Sequence, residues 1–174
     1  MIIHYLDSIG IPLLHFETGE LLGMIQDFII RTETGRIEGF WVKTVAHPFK
    51  NLIIQTHDIV GWKKNIYLKD PARISEPYEI IRIAQILEKG IEVIGNRVIT
   101  EEKKYLGKVY DFDFNTDDFL LRTICVEKRF LWFSYQRRII SSDAIIEILS
   151  AYIKVKEFCL KKSNLPLEEP ILEV

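Results

Sequence analysis

Residues 22–28 read LGMIQDF, and residues 106–112 read LGKVYDF. Each stretch places a glycine directly after a leucine and closes on the pair aspartate–phenylalanine. The match extends further, because a valine stands 15 residues after the aspartate in both copies, at Val42 and at Val126. Paired isoleucines, a second aspartate and a tyrosine then follow in the same order. An offset of about 84 residues therefore aligns the chain with itself and predicts an internal duplication.

Each copy has the pattern of a β-hairpin. In the first copy, an apolar run at 21–30 is followed by the turn sequence TETG at 32–35 and by a second apolar run at 37–42. In the second copy, the turn sequence NTDD at 115–118 leads into the return strand 119–126. Glycine and short polar side chains at these positions are typical of hairpin turns.

Two glycines, Gly23 and Gly107, lie inside the apolar strands at equivalent positions of the two copies. Glycine within a strand usually marks a bulge or a close approach of two backbone segments. We therefore assign both glycines to the architecture of a small, curled sheet rather than to a binding site.

The segment that follows Asp143 fits two structures. Taken alone, residues 143–162 have the spacing of an amphipathic helix with Asp143 as its N-cap. The matching residues 58–69 of the first copy contain Gly61 and an alternating polar and apolar pattern. We therefore expect a turn after Asp143 and then a strand at 151–156, and the helix is the alternative.

A helix is predicted between the two copies, over residues 76–89. Ser75 precedes it, Pro77 lies in its first turn and Gly90 follows its end. Its apolar face consists of Ile80, Ile83, Ala84 and Leu87. Because such a face has to be buried, we expect the halves either to pack together or to form a dimer through it, and the sequence favours neither.

Composition restricts the class of protein. The 174 residues are 48% hydrophobic, which is enough for a folded core, and the formal net charge of −2 excludes a globally basic surface for nucleic acid. Cys125 and Cys159 lie in apolar surroundings without metal-binding spacing, so we expect buried thiols and no disulfide. We find no signal-peptide pattern and no apolar run near the roughly 20 residues that span a bilayer. We expect a cytoplasmic protein without metal or cofactor.

The residues around the first hairpin resemble a PRC-barrel domain. The resemblance rests on Gly10 and Pro12, on the run TGELLGMIQD at 18–27 and on IEGFWV at 37–42. Residues 95–126 of the second copy are similar to the same pattern. This family takes its name from the cytoplasmic part of the photosynthetic reaction centre H subunit. It includes the C-terminal domain of the bacterial ribosome maturation factor for the small subunit.

The resemblance implies a mainly β fold of two small, strongly bent antiparallel β-barrels in tandem, joined by one amphipathic α-helix. We accordingly divide the chain into a first barrel unit at 1–74, a linker helix at 75–90, a second barrel unit at 91–160 and an extended acidic tail at 161–174. The family consists of binding and assembly modules without a shared catalytic motif, so the resemblance implies no catalytic or ligand residues.

The titratable residues also predict no catalysis. The four histidines, none of them at metal-binding spacing, are His4, His15, His47 and His57. His57 and Asp58 are neighbours, and neighbours on an extended segment point to opposite sides. Asp27 and Asp111 occupy equivalent repeat positions, which favours a role in a turn or bulge over acid–base catalysis. We expect a protein that is not an enzyme.

Residues 128–138, KRFLWFSYQRR, combine aromatic side chains with cations at both ends. They can form a hairpin whose Leu131 and Phe133 enter the core. Alternatively they form a partner-binding surface, because Trp, Tyr and Arg are frequent anchors of interfaces. Contact with RNA or a membrane surface is a third interpretation. The candidate partner-binding residues are Arg129, Trp132, Tyr135, Arg137 and Arg138.

The sequence thus favours an adaptor that binds another protein or assembles a complex, and a homodimer is one form of such assembly. The alternatives are an RNA- or ribosome-associated maturation factor and a peripheral role at a membrane or in assembling a photosynthetic complex. The near-neutral charge weakens both alternatives. The first copy is less aromatic at 43–51, and such divergence between repeats is where we expect partner contacts.

Overall fold

The computed structural model describes residues 1–130 and 133–157, and at positions 130 and 133–135 it describes the backbone alone. Strands account for 51% and helical segments for 17% of the residues, and the strands form two sheets, one of which is a curled half-barrel. The predicted mainly β fold is confirmed. Among the described residues, no helix combines the length and the apolar character needed to cross a membrane.

The first sheet contains six strands. The described chain begins with strand β1 (Ile2–His4) and the short helix α1 (Tyr5–Ser8). The six strands that follow are β2 (Pro12–His15), β3 (Leu21–Arg31), β4 (Arg36–Thr44), β5 (Leu52–Gln55), β6 (Ile59–Trp62) and β7 (Ile66–Leu68). Their order in the sheet is β5-β4-β3-β2-β7-β6, in which β2 and β7 run parallel and the other neighbours antiparallel.

The second sheet repeats this topology after the helix α2 (Ile81–Glu88). Its own strands are β8 (Arg97–Thr100), β9 (Tyr105–Asn115), β10 (Leu121–Phe130), β11 (Phe133–Ser141), β12 (Ile145–Ile148) and β13 (Ile153–Val155). The order is β11-β10-β9-β8-β13-β12, again with one parallel pair, β8 and β13. Each strand thus has a counterpart in the first sheet, in agreement with the predicted repeat and with both predicted hairpins.

The segment after Asp143 is extended, so the helical alternative is wrong. Ser142–Ala144 forms a single 3-10 turn, and β12 and β13 follow. The corresponding turn in the first sheet is Thr56–Asp58. The chain stays extended because Ile153 and Val155, both fully buried, pair in parallel with β8. A strand is confirmed at the predicted place, although it is shorter than residues 151–156.

The linker helix begins later than predicted. Ser75 does not cap it, because its amide and carbonyl both bond to Ile53 in β5, at 3.2 and 2.9 Å. Pro77–Glu79 instead forms a 3-10 turn, closed by the side chain of Glu79, which accepts a hydrogen bond from the amide of Glu76 at 3.3 Å. The α-helix starts only at Ile81. It ends as predicted before Gly90, whose φ of +59° suits glycine.

Helix α2 packs against the first sheet. Ile83 is fully buried in a cluster with Ile29 of β3 and Ile53 of β5. Four further apolar side chains lie partly buried on this cluster, namely Trp41 of β4 and Ile80, Ile86 and Leu87. The predicted apolar face is therefore covered by the chain's own first sheet.

One continuous core joins the two sheets. The ring of Phe28 in β3 lies 5.5 Å from that of Phe112 and 5.2 Å from that of Phe114, both in β9. The indole of Trp62 in β6 lies 5.4 Å from Phe114. These edge-to-face contacts are favourable arrangements for aromatic pairs. The two halves are thus packed on each other within one chain. Of the two arrangements expected from the apolar face of the helix, this is the intramolecular one.

Backbone pairing also links the two halves. The amide of Ile37 donates to the carbonyl of Phe119 at 2.8 Å, and the amide of Leu121 donates to the carbonyl of Gly35 at 2.9 Å. In addition, β1 pairs antiparallel with β9. The strand nearest the start of the sequence thus belongs to the second sheet, whereas the proposed boundaries at residues 74 and 91 stay a prediction. The predicted acidic tail, 161–174, lies outside the described residues.

Candidate functional site

The predicted aromatic segment is a long hairpin of β10 and β11. We call residues 127–137 the aromatic hairpin. Within it, Glu127 lies opposite Arg137, and the pairing continues to Phe130 opposite Phe133, with one bulge between Lys128 and Arg129. The aromatic residue types at positions 130 and 133 favour strand structure.

The counterpart in the first sheet is a loop. There the pairing of β4 with β5 ends at Val42 opposite Leu52. The residues between include Pro48, which cannot donate a ladder hydrogen bond, and Phe49, which is 99% exposed. The two sheets therefore differ here in the length of their strand pairing, at a position where their sequences diverge.

A buried carboxylate organises the cations of the aromatic hairpin. The side chain of Glu127 is 7% exposed and forms an ion pair with Arg129. The Nε of Arg137 lies 4.0 Å from the other oxygen of Glu127. Both arginines remain well exposed, at 66% and 59%. Because an unpaired buried charge is costly, Glu127 holds both guanidinium groups at the surface in a defined place.

Cations also stack on two tyrosines beside the hairpin. The guanidinium of Arg137 lies 5.4 Å from the ring of Tyr110. Lys128 and Arg97 lie 5.6 and 5.4 Å from the ring of Tyr105. Such cation–π contacts restrict long side chains that would otherwise be mobile. The second sheet therefore carries several positive charges that are held by neighbouring side chains around β10 and β11.

The structure brings together part of the predicted partner-binding set. Arg129 and Arg137 meet at Glu127. Arg138 lies opposite the buried Val126, and since neighbours along a strand alternate faces, it belongs to the other side of β11 from Arg137. Trp132 lies outside the described residues, as does the side chain of Tyr135. The predicted burial of Leu131 and Phe133 also falls outside them.

The described cysteine is not poised for chemistry. Cys125 is buried in β10. Burial raises the pKa of its thiol to about 11, assisted by the carboxylates of Asp113 and Asp111 and opposed by a hydrogen bond with Tyr110. Since the thiolate is the nucleophilic form, Cys125 stays neutral and inert near pH 7, as a buried apolar residue would. Cys159 lies outside the described residues.

The equivalent aspartates satisfy equivalent amides. Oδ1 of Asp27 accepts a hydrogen bond from the amide of Phe28 at 2.7 Å, and Oδ1 of Asp111 accepts one from the amide of Phe112 at 2.9 Å. In each hairpin the register shifts beside the aspartate. This geometry agrees with the predicted structural role at a bulge. Burial, followed by the charge of Asp27, also raises the pKa of Tyr5, which bridges the two halves, to about 12.

The expectation that the side chains of His57 and Asp58 point to opposite sides is wrong. His57 and Asp58 lie in a 3-10 turn rather than in an extended segment, so their side chains approach within 3.5 Å. Asp58 also lies 3.8 Å from Arg73. His4, in β1, contacts Asp113 and lies 3.7 Å from Asp111 in the neighbouring strand β9. Both histidines thus have carboxylate neighbours that spacing along the chain did not reveal.

Sequence reasoning also missed a second cluster of cations, on the first sheet. Glu38 is buried in β4, and the Nε atoms of Arg31 and Arg82 lie 2.8 and 3.5 Å from its oxygens. The sequence contained one sign of these cation clusters: Glu38 and Glu127 are each a lone acidic residue inside an apolar strand. A buried acid of this kind requires cationic partners.

The second sheet thus combines a curled β unit with exposed arginines held by Glu127 and a buried, neutral thiol. Residues 89–158 match the family model of the PRC-barrel domain, so this part of the chain is similar to that family. The match covers the strands β8 to β13, from the end of α2 onwards. A comparison with curated proteins found no match. A PRC-barrel domain indicates, in general terms, a role in binding or assembly.

Proposed function

We propose that the chain is a cytoplasmic, non-enzymatic adaptor that binds another protein through the aromatic hairpin. The observation that carries this proposal is the exposure of Arg129 and Arg137 on a buried Glu127, next to the most aromatic sequence of the chain. Arginine and aromatic side chains are the residues most enriched in interface hot spots. Arginines already held in place lose less conformational entropy when a partner binds.

The position of β11 in the sheet supports the same proposal. It is the outermost strand of the second sheet. Among the described residues, no strand pairs with its outer edge, whereas the outer edge of β5 pairs through Ile53 with Ser75. An open edge offers backbone groups to an incoming extended segment, which is a common mode of protein recognition. The exposed arginines would favour a partner with acidic residues.

The test compares two aromatic variants in affinity capture from native lysate. Trp132→Ala should reduce recovery of the main bound protein at least about tenfold, because hot-spot aromatics carry much of the binding energy. Phe49→Ala removes an exposed aromatic from the counterpart loop and should leave recovery unchanged. The thermal midpoints of both variants should stay close to that of the unchanged protein.

Two results would contradict the proposal. A Trp132→Ala variant destabilised by about 3 to 5 kcal/mol would show a core residue and would remove the hairpin as an interface. Recovery of rRNA or ribosomal proteins that is lost at high salt would instead support the maturation factor, because phosphate contacts weaken steeply with ionic strength. A protein partner held mainly by aromatic contacts should remain bound at high salt.

A further inference from the structure

A basic basin of about 610 Å³ lies on the first sheet, away from the aromatic hairpin. Its cationic lining comes from three elements, with Arg31 at the end of β3, Arg36 at the start of β4 and Arg82 in α2. The acidic lining is Glu38, and His57 adds a further polar side chain. Three permanent positive charges thus face one carboxylate. The volume is in the usual range for a small-molecule site.

Glu38 fixes two of the arginines by one nitrogen each. Its side chain is 6% exposed, and its two oxygens lie 2.8 Å from the Nε of Arg31 and 3.5 Å from the Nε of Arg82. Neither guanidinium forms a further hydrogen bond or ion pair within the described part of the chain. Their Nη groups are therefore oriented donors without an acceptor, which is the arrangement that suits bidentate binding of a tetrahedral anion.

Arg36 indicates that the basin is built for a ligand. It lies directly opposite Arg31 in the pairing of β3 with β4, and like charges in this position destabilise a sheet. Its guanidinium has no ion-pair partner among the described residues. An anion bound between Arg31 and Arg36 would convert this repulsion into attraction.

We propose that the basin binds a small ligand carrying several phosphate groups, such as a tripolyphosphate chain. Three arginines around one buried carboxylate leave an excess of positive charge that a single-charged anion would not neutralise. Leu120 is the apolar residue among the described lining, and His57 supplies its one aromatic ring. The remaining lining is polar or charged, so recognition falls mainly on the phosphates. The second copy has a leucine, Leu120, at the position equivalent to Arg36, so the set of arginines is not repeated there.

Calorimetric titration of the full chain with tripolyphosphate tests this proposal. We expect one binding site, and Arg36→Gln should weaken binding about tenfold, the usual effect of losing one charge-assisted contact. Because Arg36 has no ion-pair partner among the described residues, its thermal midpoint should not fall. Arg97→Gln removes the same charge from β8, outside the basin, and should leave the affinity unchanged.

A second titration with a nucleoside triphosphate shows whether the natural ligand is a nucleotide or a phosphate chain without a base. Equal affinity for both probes supports recognition of the phosphate chain alone, whereas tighter binding of the nucleotide supports a nucleotide as the source. The proposal is overturned if the unchanged protein binds neither probe at millimolar concentration, or if Arg97→Gln weakens binding as much as Arg36→Gln does. Binding of single-stranded RNA without binding of tripolyphosphate would also overturn it. The result is independent of whether the aromatic hairpin binds a protein.

Discussion

Gly107 of β9 lies close against the backbone of β10. Its φ of +137° belongs to the region that L side chains avoid, and a Cβ at this position would overlap the carbonyl oxygen of Glu127. Gly95, with a φ of +79°, has open space around its Cβ position. The two glycines therefore separate the effect of backbone conformation from the effect of close packing.

Gly107→Ala should lower the free energy of unfolding by about 3 kcal/mol, since backbone strain and steric overlap add. Gly95→Ala should cost only about 1 kcal/mol, because strain acts there alone. Urea denaturation midpoints at constant m-value measure both changes. Equal losses in the two variants would show that the close approach to Glu127 contributes nothing.

The two buried glutamates show how far residues can be assigned from sequence. Glu38 and Glu127 both stand out as acids in apolar strands, and Arg129 could be linked to Glu127 by proximity along the chain. Arg82 could not be linked to Glu38 from the sequence. It lies in helix α2, whereas Glu38 lies in a strand, and only the fold brings the two side chains together. The sequence therefore indicates which buried charge needs ion-pair partners, whereas the fold determines which residues form those pairs.

At the scale of elements, α2 is anchored to the first sheet by one fully buried side chain. Its single fully buried side chain among the described residues is Ile83, whereas Ile81 at its first position is 76% exposed. An isolated helix of eight residues is unstable in water. Packing of Ile83 against β3 and β5 must therefore stabilise it.

Ile83→Ala should lower the free energy of unfolding by about 3 kcal/mol, the typical loss for a large-to-small change in a closed core. Ile81→Ala, the same chemical change on the exposed face, should alter it by no more than about 0.5 kcal/mol. Thermal unfolding followed by far-ultraviolet circular dichroism measures both. A comparable loss in Ile81→Ala would mean that its side chain is covered in solution, as a dimer through this helix would require.

Some local sequence patterns predicted the helices and strands correctly, and others did not. The hairpins were predictable because turn residues and apolar runs occur twice, and the comparison between copies also favoured strands after Asp143. The start of the helix was not predictable, since Ser75 is a good N-cap but pairs with Ile53, a residue distant in sequence. Tertiary pairing overrode a local signal there.

For the whole molecule, the shared core means that the two sheets should unfold together. Phe28 and Phe114 belong to different sheets, and their ring centroids are 5.2 Å apart. Two independent barrels would instead show separate transitions. The duplication could be predicted from the sequence, but this packing could not. The apolar pattern of each copy indicates which of its residues are buried, but not that they pack against the other copy.

Phe28→Leu and Phe114→Leu should each lower one common unfolding transition, by about 1 to 2 kcal/mol. The double variant should lose less than the sum, by about 1 kcal/mol, because the two rings contact each other. Calorimetry combined with tryptophan fluorescence measures the number of transitions and the coupling. A second transition that responds to only one of the substitutions would contradict a shared core.

The pairing of β1 with β9 has a consequence for synthesis on the ribosome. Met1 and Asn115, which bond at this junction, are 114 residues apart. At about 5 to 20 residues per second, β1 emerges roughly 6 to 23 seconds before its partner strand. The first sheet can close within that interval, since none of its pairings involves β1. Strand β1 is therefore made before the strands of the first sheet but is placed only when the second sheet forms.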